Sequence, residues 1–203
     1  MTNIKRRRLL QMMTAAPMAA AITWTDAEAA QAQKQAQAAR TTAAKTKTPF
    51  KPKFFTAHEW ATVVRLVDII IPKDERSGSA TDAGVPEFMD FILTEQLPRQ
   101  NAMRGGLAWL DLECQQRFDK MFVDCTDDER TRVLDDIAWP QKATPGMSHG
   151  VAFFSSFRDL TSMGFWTTKM GMQDLQYMGN TLVPQWKGCP DEALTRLGVK
   201  REA

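Results

Sequence analysis

The chain has 203 residues, of which 43% are hydrophobic and 25% charged, values typical of one globular domain with its own core. The formal net charge of +2 is unevenly distributed, because residues 1–53 hold ten basic and two acidic side chains. That leaves 16 bases and 22 acids for residues 54–203. An acidic folded part lacks the main electrostatic support for nucleic-acid binding, so we expect no nucleic-acid partner.

The first 29 residues have the layout of an export signal. A basic segment at residues 5–8 precedes an apolar run over residues 9–22, and small-residue cleavage sites follow within residues 27–32. The run is shorter than the roughly 20 apolar residues that a membrane span requires. We therefore interpret residues 1–29 as a signal peptide rather than as a membrane anchor.

The basic segment resembles the twin-arginine export signal. Arg6 and Arg7, followed after one residue by Leu9 and Leu10, match the core of that pattern. The weak hydrophobicity of the apolar run agrees with this route, which transports proteins already folded. The sequence thus predicts the twin-arginine translocase as a partner and the periplasm as the destination, with the general secretory route as the alternative.

Residues 30–53 consist mainly of Ala, Gln, Lys and Thr, with almost no large apolar side chain. Such a segment cannot bury enough surface to offset the entropy lost on ordering. Local helix is compatible with its Ala/Gln part, but the composition favours a flexible, disordered tether. The tether would join the signal to a folded domain of residues 54–203.

The folded domain contains five segments with helical periodicity. Capping boxes at Thr56/Glu59 and Thr126/Glu129 begin the first and fourth, Pro86 lies at the start of the second, and the third spans residues 104–122. We find no β alternation and no repeat, so the predicted fold class is all-α, a single bundle of about five helices. The predicted buried faces are, in chain order, Trp60, Val63, Val64, Val67, Ile70 and Ile71; Phe88, Met89, Ile92 and Leu93; Leu107, Leu110, Cys114, Phe118 and Met121; Val133, Leu134 and Ile137, with Trp139 as a further candidate; and Phe153, Phe154, Phe157, Leu160 and Met163.

The sequence shows no arrangement of catalytic or ligand-binding side chains. His58 and His149 are its two histidines, and neither stands at a metal-ligand spacing. No glycine-rich loop follows a strand, so no nucleotide or flavin site is visible. We expect no catalytic residue, cofactor site or metal site in this chain.

Three cysteines, Cys114, Cys125 and Cys189, allow one disulfide and one remaining thiol in an exported protein. On one continuous helix, Cys114 and Cys125 would lie ~16 Å apart, which is too far for a bond. If a bridge exists, the predicted pairing is therefore Cys189 with Cys125 or Cys114. Three thiols without a bridge remain the alternative.

The segment from residue 164 to residue 190 combines glycines at irregular intervals with several aromatic side chains. The glycines indicate turns or close approaches of the backbone. The aromatic side chains are expected to pack against an apolar surface. One interpretation is a loop-rich C-terminal wrap that seals the helical core. The other is a docking surface, because Trp, Tyr, Phe and Met are enriched at interface cores, and the two can coexist.

This C-terminal segment resembles the signature of the gluconate 2-dehydrogenase subunit 3 family. Residues 164–171 match its glycine, two aromatics, two hydroxyl residues and second glycine, although Thr167-Thr168 is a mild departure at the hydroxyl pair. Residues 175–180 (L-x-Y-x-G-N) and 188–190 (G-C-P) match the remaining parts of the signature. Near the other end, I-I-P at residues 70–72 and A-G-V-P at residues 83–86 are similar to the family's opening pattern.

The resemblance implies a periplasmic accessory subunit that is not an enzyme by itself. Its implied partner is a large subunit of the glucose–methanol–choline class, which binds FAD and oxidises sugars, sugar acids or alcohols. A cytochrome c subunit often accompanies such pairs as the electron acceptor, and this chain could associate with the membrane through the complex. This chain would stabilise the flavin subunit and carry it through the twin-arginine pathway. The interface residues implied are Phe165, Trp166, Tyr177, Asn180 and Trp186.

Two other functions fit the sequence less well. One is a free-standing periplasmic helical protein that binds a ligand or acts in a stress response. The other is an enzyme whose site the sequence does not reveal.

Overall fold

The computed structural model describes residues 25–46, 50–177, 179, 185, 188–189 and 191–198. These residues form nine α-helices and contain no strand, so the all-α prediction is confirmed. None of the helices in this part of the chain has the length and apolar character needed to cross a bilayer. The helices are α1 (Asp26–Thr46), α2 (Ala57–Ile70), α3 (Ala80–Ala83), α4 (Val85–Glu95), α5 (Leu97–Phe118), α6 (Asp127–Ala138), α7 (Ser148–Trp166), α8 (Lys169–Asp174) and α9 (Asp191–Leu197).

Helix α4 lies at the centre of the bundle and packs against α1, α2, α3, α5 and α7. Pro86 is in its first turn, where a missing N–H leaves no hydrogen bond unmade. The predicted second helix is therefore confirmed. Its buried residues are Val85, Pro86, Phe88, Met89, Asp90, Ile92 and Leu93.

Both predicted capping boxes are present. At the start of α2, the Thr56 hydroxyl accepts from the Glu59 amide at 3.2 Å, and the Thr56 amide donates to the Glu59 carboxylate at 2.8 Å. The same reciprocal pair joins Thr126 and Glu129 at the start of α6. Each box satisfies backbone amides that the first helical turn cannot pair internally.

The third predicted helix has different ends in the structure. Helix α5 begins at Leu97, so Pro98 lies in its first turn instead of marking a break. It ends at Phe118, short of the predicted position, because Asp119 adopts a left-handed conformation with φ of 57°. Aspartate tolerates that conformation better than most residues. Met121, predicted in the helix core, is consequently outside the helix and 41% exposed.

The structure also differs from the flexible tether predicted over residues 30–53. Helix α1 covers most of that segment and packs along α4, and the predicted boundary at residue 29 falls inside it. Ala29, Ala32 and Ala36 are 3%, 5% and 1% exposed. Alanine is the strongest helix former, and its small side chain lets two helices approach closely. A helix can therefore dock here without large apolar residues.

Polar groups make up part of the contact between α1 and the bundle. Arg40 donates to the carbonyl oxygen of Asp82 at 2.7 Å. Burial raises the pKa of the Glu87 carboxyl, and the charge of Arg40 only partly opposes this. Within the described residues, one carboxyl oxygen of Glu87 and the amide oxygen of Gln33 are buried without a hydrogen-bond partner. Buried polar atoms of this kind make α1 less stably attached than an apolar helix would be.

Two tryptophans that were predicted to be buried are more exposed than expected. Trp60 is only partly buried, and its ring lies 5.2 Å from Phe50 and 6.4 Å from Phe55 between centroids. Trp139 is 58% exposed at the end of α6, with the Lys142 ammonium 5.7 Å from its ring centroid. Its place in the buried face of that helix was a wrong prediction, because α6 ends at Ala138 and the chain turns outward.

Candidate partner interface

Gly164 allows the last turns of α7 to pass close to α4. A Cβ atom at this position would lie 2.8 Å from a ring carbon of Phe88 and 3.2 Å from a methyl carbon of Val85. The neighbouring Phe165 is 1% exposed and meets Trp166 edge to face, with centroids 4.9 Å apart. The glycine is therefore needed for helix packing, and the phenylalanine fills the space beside it.

Thr168 and Gly171 form the corner between α7 and α8. The buried Thr168 hydroxyl donates to the Phe165 carbonyl oxygen at 2.7 Å and accepts from the Gly171 amide at 3.0 Å. It is thus both the N-cap of α8 and an anchor to α7. A Cβ atom at Gly171 would overlap the carbonyl oxygen of Phe165. The glycine–aromatic–threonine–glycine signature thus builds a rigid corner, whereas the sequence pattern predicted an irregular loop.

Three large apolar side chains project from this corner. Helix α8 ends with Gln176 in a left-handed conformation (φ 55°), and the Tyr177 amide donates back to the Met172 carbonyl oxygen at 2.9 Å. This is the hydrogen bond of a Schellman motif, and it holds Tyr177 beside the last turn of α8. Met172, Leu175 and Tyr177 are 39%, 57% and 60% exposed. We name these three side chains the corner cluster.

Arg76 attaches the corner to the loop that follows α2. Its guanidinium donates to the Asp174 carbonyl oxygen and lies 3.3 Å from the Asp174 carboxylate. The corner cluster therefore sits on backbone fixed at both Thr168 and Asp174. Exposed apolar side chains on fixed backbone lose little conformational entropy when a partner covers them.

A comparison with protein-family models matches residues 57–185 to the family described as Gluconate 2-dehydrogenase subunit 3. The chain belongs to this family. Its members are a subunit of a dehydrogenase complex, which agrees with an accessory role. The match includes the whole corner between α7 and α8 and the corner cluster. It begins after α1 and ends before residues 188–190.

No curated protein and no solved structure gives a significant match to the chain. For this member of the gluconate 2-dehydrogenase subunit 3 family, candidate interface residues are therefore chosen from side-chain exposure and backbone geometry in its own structure.

The structure separates the residues that the resemblance placed at an interface. Phe165 is buried in the core, Trp166 is partly buried beside it, and Tyr177 is exposed in the corner cluster. Asn180 and Trp186 lie outside the described residues, as do the export-signal residues Arg6, Arg7, Leu9 and Leu10. Met172 and Leu175, which are exposed beside Tyr177, were not among the residues predicted for the interface. Their exposure could not be recognised from sequence, because the six residues of α8 were not predicted to form a helix.

The three cysteines carry no bridge in this structure, which is the alternative that the sequence left open. Cys114 and Cys125 are both buried near each other, whereas Cys189 is exposed. None of the three forms a disulfide in this structure. The predicted separation of ~16 Å assumed one continuous helix, and it is wrong because α5 ends at Phe118. Burial, with Cys125 as a further cause, raises the pKa of the Cys114 thiol to about 12.

The closest pairing of a histidine with a carboxylate in the described residues has a structural explanation. His58 Nε2 lies 2.6 Å from one carboxylate oxygen of Asp111. The other oxygen of Asp111 accepts from the Phe122 amide at 3.0 Å and so fixes the connection after α5. Both oxygens of Asp111 are therefore committed to holding neighbouring segments together.

Gly171→Ala should lower the free energy of unfolding by ~1–3 kcal/mol, because the added methyl must displace backbone rather than a flexible side chain. Gly146→Ala is the matched control, since nothing lies within 4 Å of a Cβ built there. It should change stability by less than about 0.5 kcal/mol. Chemical denaturation of the two variants measures the difference, and equal midpoints would contradict a tight corner between α7 and α8.

Proposed function

We propose that this chain is the non-catalytic small subunit of a periplasmic dehydrogenase complex. It binds and stabilises a large FAD-containing subunit that oxidises a sugar, a sugar acid or an alcohol. The observation that carries this proposal is the match of residues 57–185 to a family of dehydrogenase subunits. The flavin and the substrate belong to the partner, and this chain supplies the docking surface and the export address.

The corner cluster supports the docking role. Methionine and tyrosine are enriched in interface cores, and single exposed apolar residues are common, whereas three on one rigid turn are not. The corner lies within the family match, and its conformation is determined by Thr168, Gly171 and Arg76. We assign the flavin subunit as the protein that covers Met172, Leu175 and Tyr177.

The export role rests on the N-terminal sequence. Arg6, Arg7, Leu9 and Leu10 resemble the twin-arginine signal, and that pathway accepts folded proteins with their cofactors bound. A large subunit without a signal of its own would cross the membrane attached to this chain. In the periplasm, a cytochrome c subunit would accept electrons from the flavin.

Replacing Arg6 and Arg7 together by Lys should move both this chain and the flavin subunit from the periplasm to the cytoplasm. Lysine keeps the positive charge but lacks the planar guanidinium that a receptor for paired arginines can recognise. Cell fractionation and immunoblotting measure the distribution. The melting temperature of the purified variant should be unchanged, and normal periplasmic amounts of the double variant would refute the twin-arginine assignment.

Deleting the gene for this chain tests the proposed function as a whole. The flavin subunit should then stay in the cytoplasm or be degraded, and periplasmic dye-linked dehydrogenase activity should be lost. Restoring the full chain from a plasmid should restore both. A flavin dehydrogenase that reaches the periplasm with full activity in the deletion strain would instead support a free-standing role for this protein.

A further inference from the structure

The connection between α5 and α6 brings two distant cysteines together. Cys114 lies in the last turns of α5, and the chain reverses direction at Asp119. A single 3-10 turn over Phe122–Asp124 then leads back to Cys125, which directly precedes the N-cap of α6. Cys114 and Cys125 are 0% and 3% exposed, and the Cys125 side chain is near enough to the Cys114 thiol to raise its pKa.

The side chains of Asp111 and Arg130 hold this connection in place, so the fold keeps the two cysteines near each other. The Phe122 amide donates to Asp111 at 3.0 Å on one side. On the other side, Arg130 donates to the carbonyl oxygens of Phe122 and Val123, at 2.9 and 2.7 Å. With Arg130 itself only 5% exposed, these bonds are shielded from water.

We propose that Cys114 and Cys125 form an intrachain disulfide when the protein enters an oxidising compartment. Its formation in the cell rests on the proposed export to the periplasm, whereas the pairing itself rests only on the structure. Cys189 is exposed on a separate segment and is not needed for the bridge.

The reaction is thiol–disulfide exchange with a small-molecule or protein disulfide as the oxidant. Cys125 attacks one sulfur of that disulfide, which forms a mixed disulfide and releases one thiol. Cys114 then attacks the Cys125 sulfur, which closes the bridge and releases the second thiol. The two cysteines lose two electrons and two protons, and the oxidant gains both as its two thiols. We assign the first attack to Cys125, because the raised pKa of the Cys114 thiol disfavours its thiolate.

The bridge would close a short covalent loop around the 3-10 turn. Cross-linking two residues that are 11 positions apart restricts the unfolded chain, and the folded connection already brings the two cysteines near each other. Oxidation should therefore raise the melting temperature, by roughly 5–10 °C for a domain of this size.

The test uses the full chain with Cys189→Ser, so that only Cys114 and Cys125 can react. The denatured, reduced protein is refolded in a mixture of oxidised and reduced glutathione, then alkylated in denaturant and mapped by mass spectrometry. We expect a monomer lighter by two hydrogen atoms, unreactive towards the alkylating agent, with the two cysteine peptides linked. Adding a phosphine reductant should lower its melting temperature by the same roughly 5–10 °C.

Adding Cys125→Ala to the same chain provides the control, which should keep one reactive thiol and show no reductant-dependent melting shift. Two alkylated cysteines after refolding, or glutathione attached to both, would overturn the proposal. The same mapping on protein isolated from the periplasm tests the cellular context separately. A bridge formed on refolding, together with reduced thiols in protein from cells, would support the pairing and count against the proposed export.

Discussion

Asp90→Ala should lower the free energy of unfolding by about 3–5 kcal/mol, because each buried donor left without its acceptor costs about 1–3 kcal/mol. Asp90 is completely buried in α4, and its carboxylate accepts the amides of Lys53, Phe54 and Phe55 at 2.8, 2.9 and 3.1 Å. These bonds fix the chain where it enters α2. Alanine would leave three amides without their acceptor, two of them in buried residues.

Chemical denaturation of the full chain measures this effect. Asp90→Asn should lower the free energy of unfolding by less than Asp90→Ala does, because the side-chain oxygen of asparagine can still accept hydrogen bonds from some of the three amides. Asp135→Ala, at an exposed carboxylate of α6, is the matched control and should change stability by less than about 0.5 kcal/mol. Equal stabilities for the Asp90 and Asp135 variants would show that the buried carboxylate does not organise the chain around it.

Replacing Leu175 and Tyr177 together by Ala should weaken association with the flavin subunit by ~2–4 kcal/mol, which is about 30-fold or more. Both side chains are more than half exposed in the isolated chain, so their removal creates no cavity in the core. The melting temperature should consequently stay close to that of the unaltered protein. Titration of the immobilised variant with purified flavin subunit measures the dissociation constant.

Trp139→Ala is the control for that experiment. Trp139 is a large side chain exposed to a similar degree, 58%, but it lies at the end of α6, away in sequence from the corner cluster. Its replacement should leave the dissociation constant unchanged. If Trp139→Ala weakens binding and the Leu175/Tyr177 variant does not, the docking surface lies at the end of α6.

The starts of α2 and α6 could be predicted from sequence because their determinants are local. Thr56 with Glu59, and Thr126 with Glu129, satisfy each other's amides within one turn, so a single four-residue stretch contains all the information. The all-α class followed from the spacing of apolar residues for the same reason. Buried faces such as Val63 and Val67 were correctly identified.

The features that depend on tertiary contacts could not be predicted in this way. The packing of helix α1 against α4 could not be predicted from its apolar content. The contact is made largely by alanine side chains, which give almost no periodic hydrophobic pattern in the sequence. The left-handed conformation of Asp119 ends α5 and brings Cys114 to Cys125, yet nothing adjacent in sequence requires it. The role of Asp90 could not be predicted either, because the amides that its carboxylate binds lie 35 to 37 positions earlier in the chain.

Purification of the tagged full chain from its own periplasm tests the central claim most directly. We predict that a flavoprotein of the large-subunit class elutes with it at a fixed molar ratio, carries the bound FAD, and oxidises a sugar, sugar acid or alcohol. The Leu175/Tyr177 variant should elute with much less of it. A chain that elutes alone from cells that contain the active dehydrogenase would contradict the assignment as its small subunit.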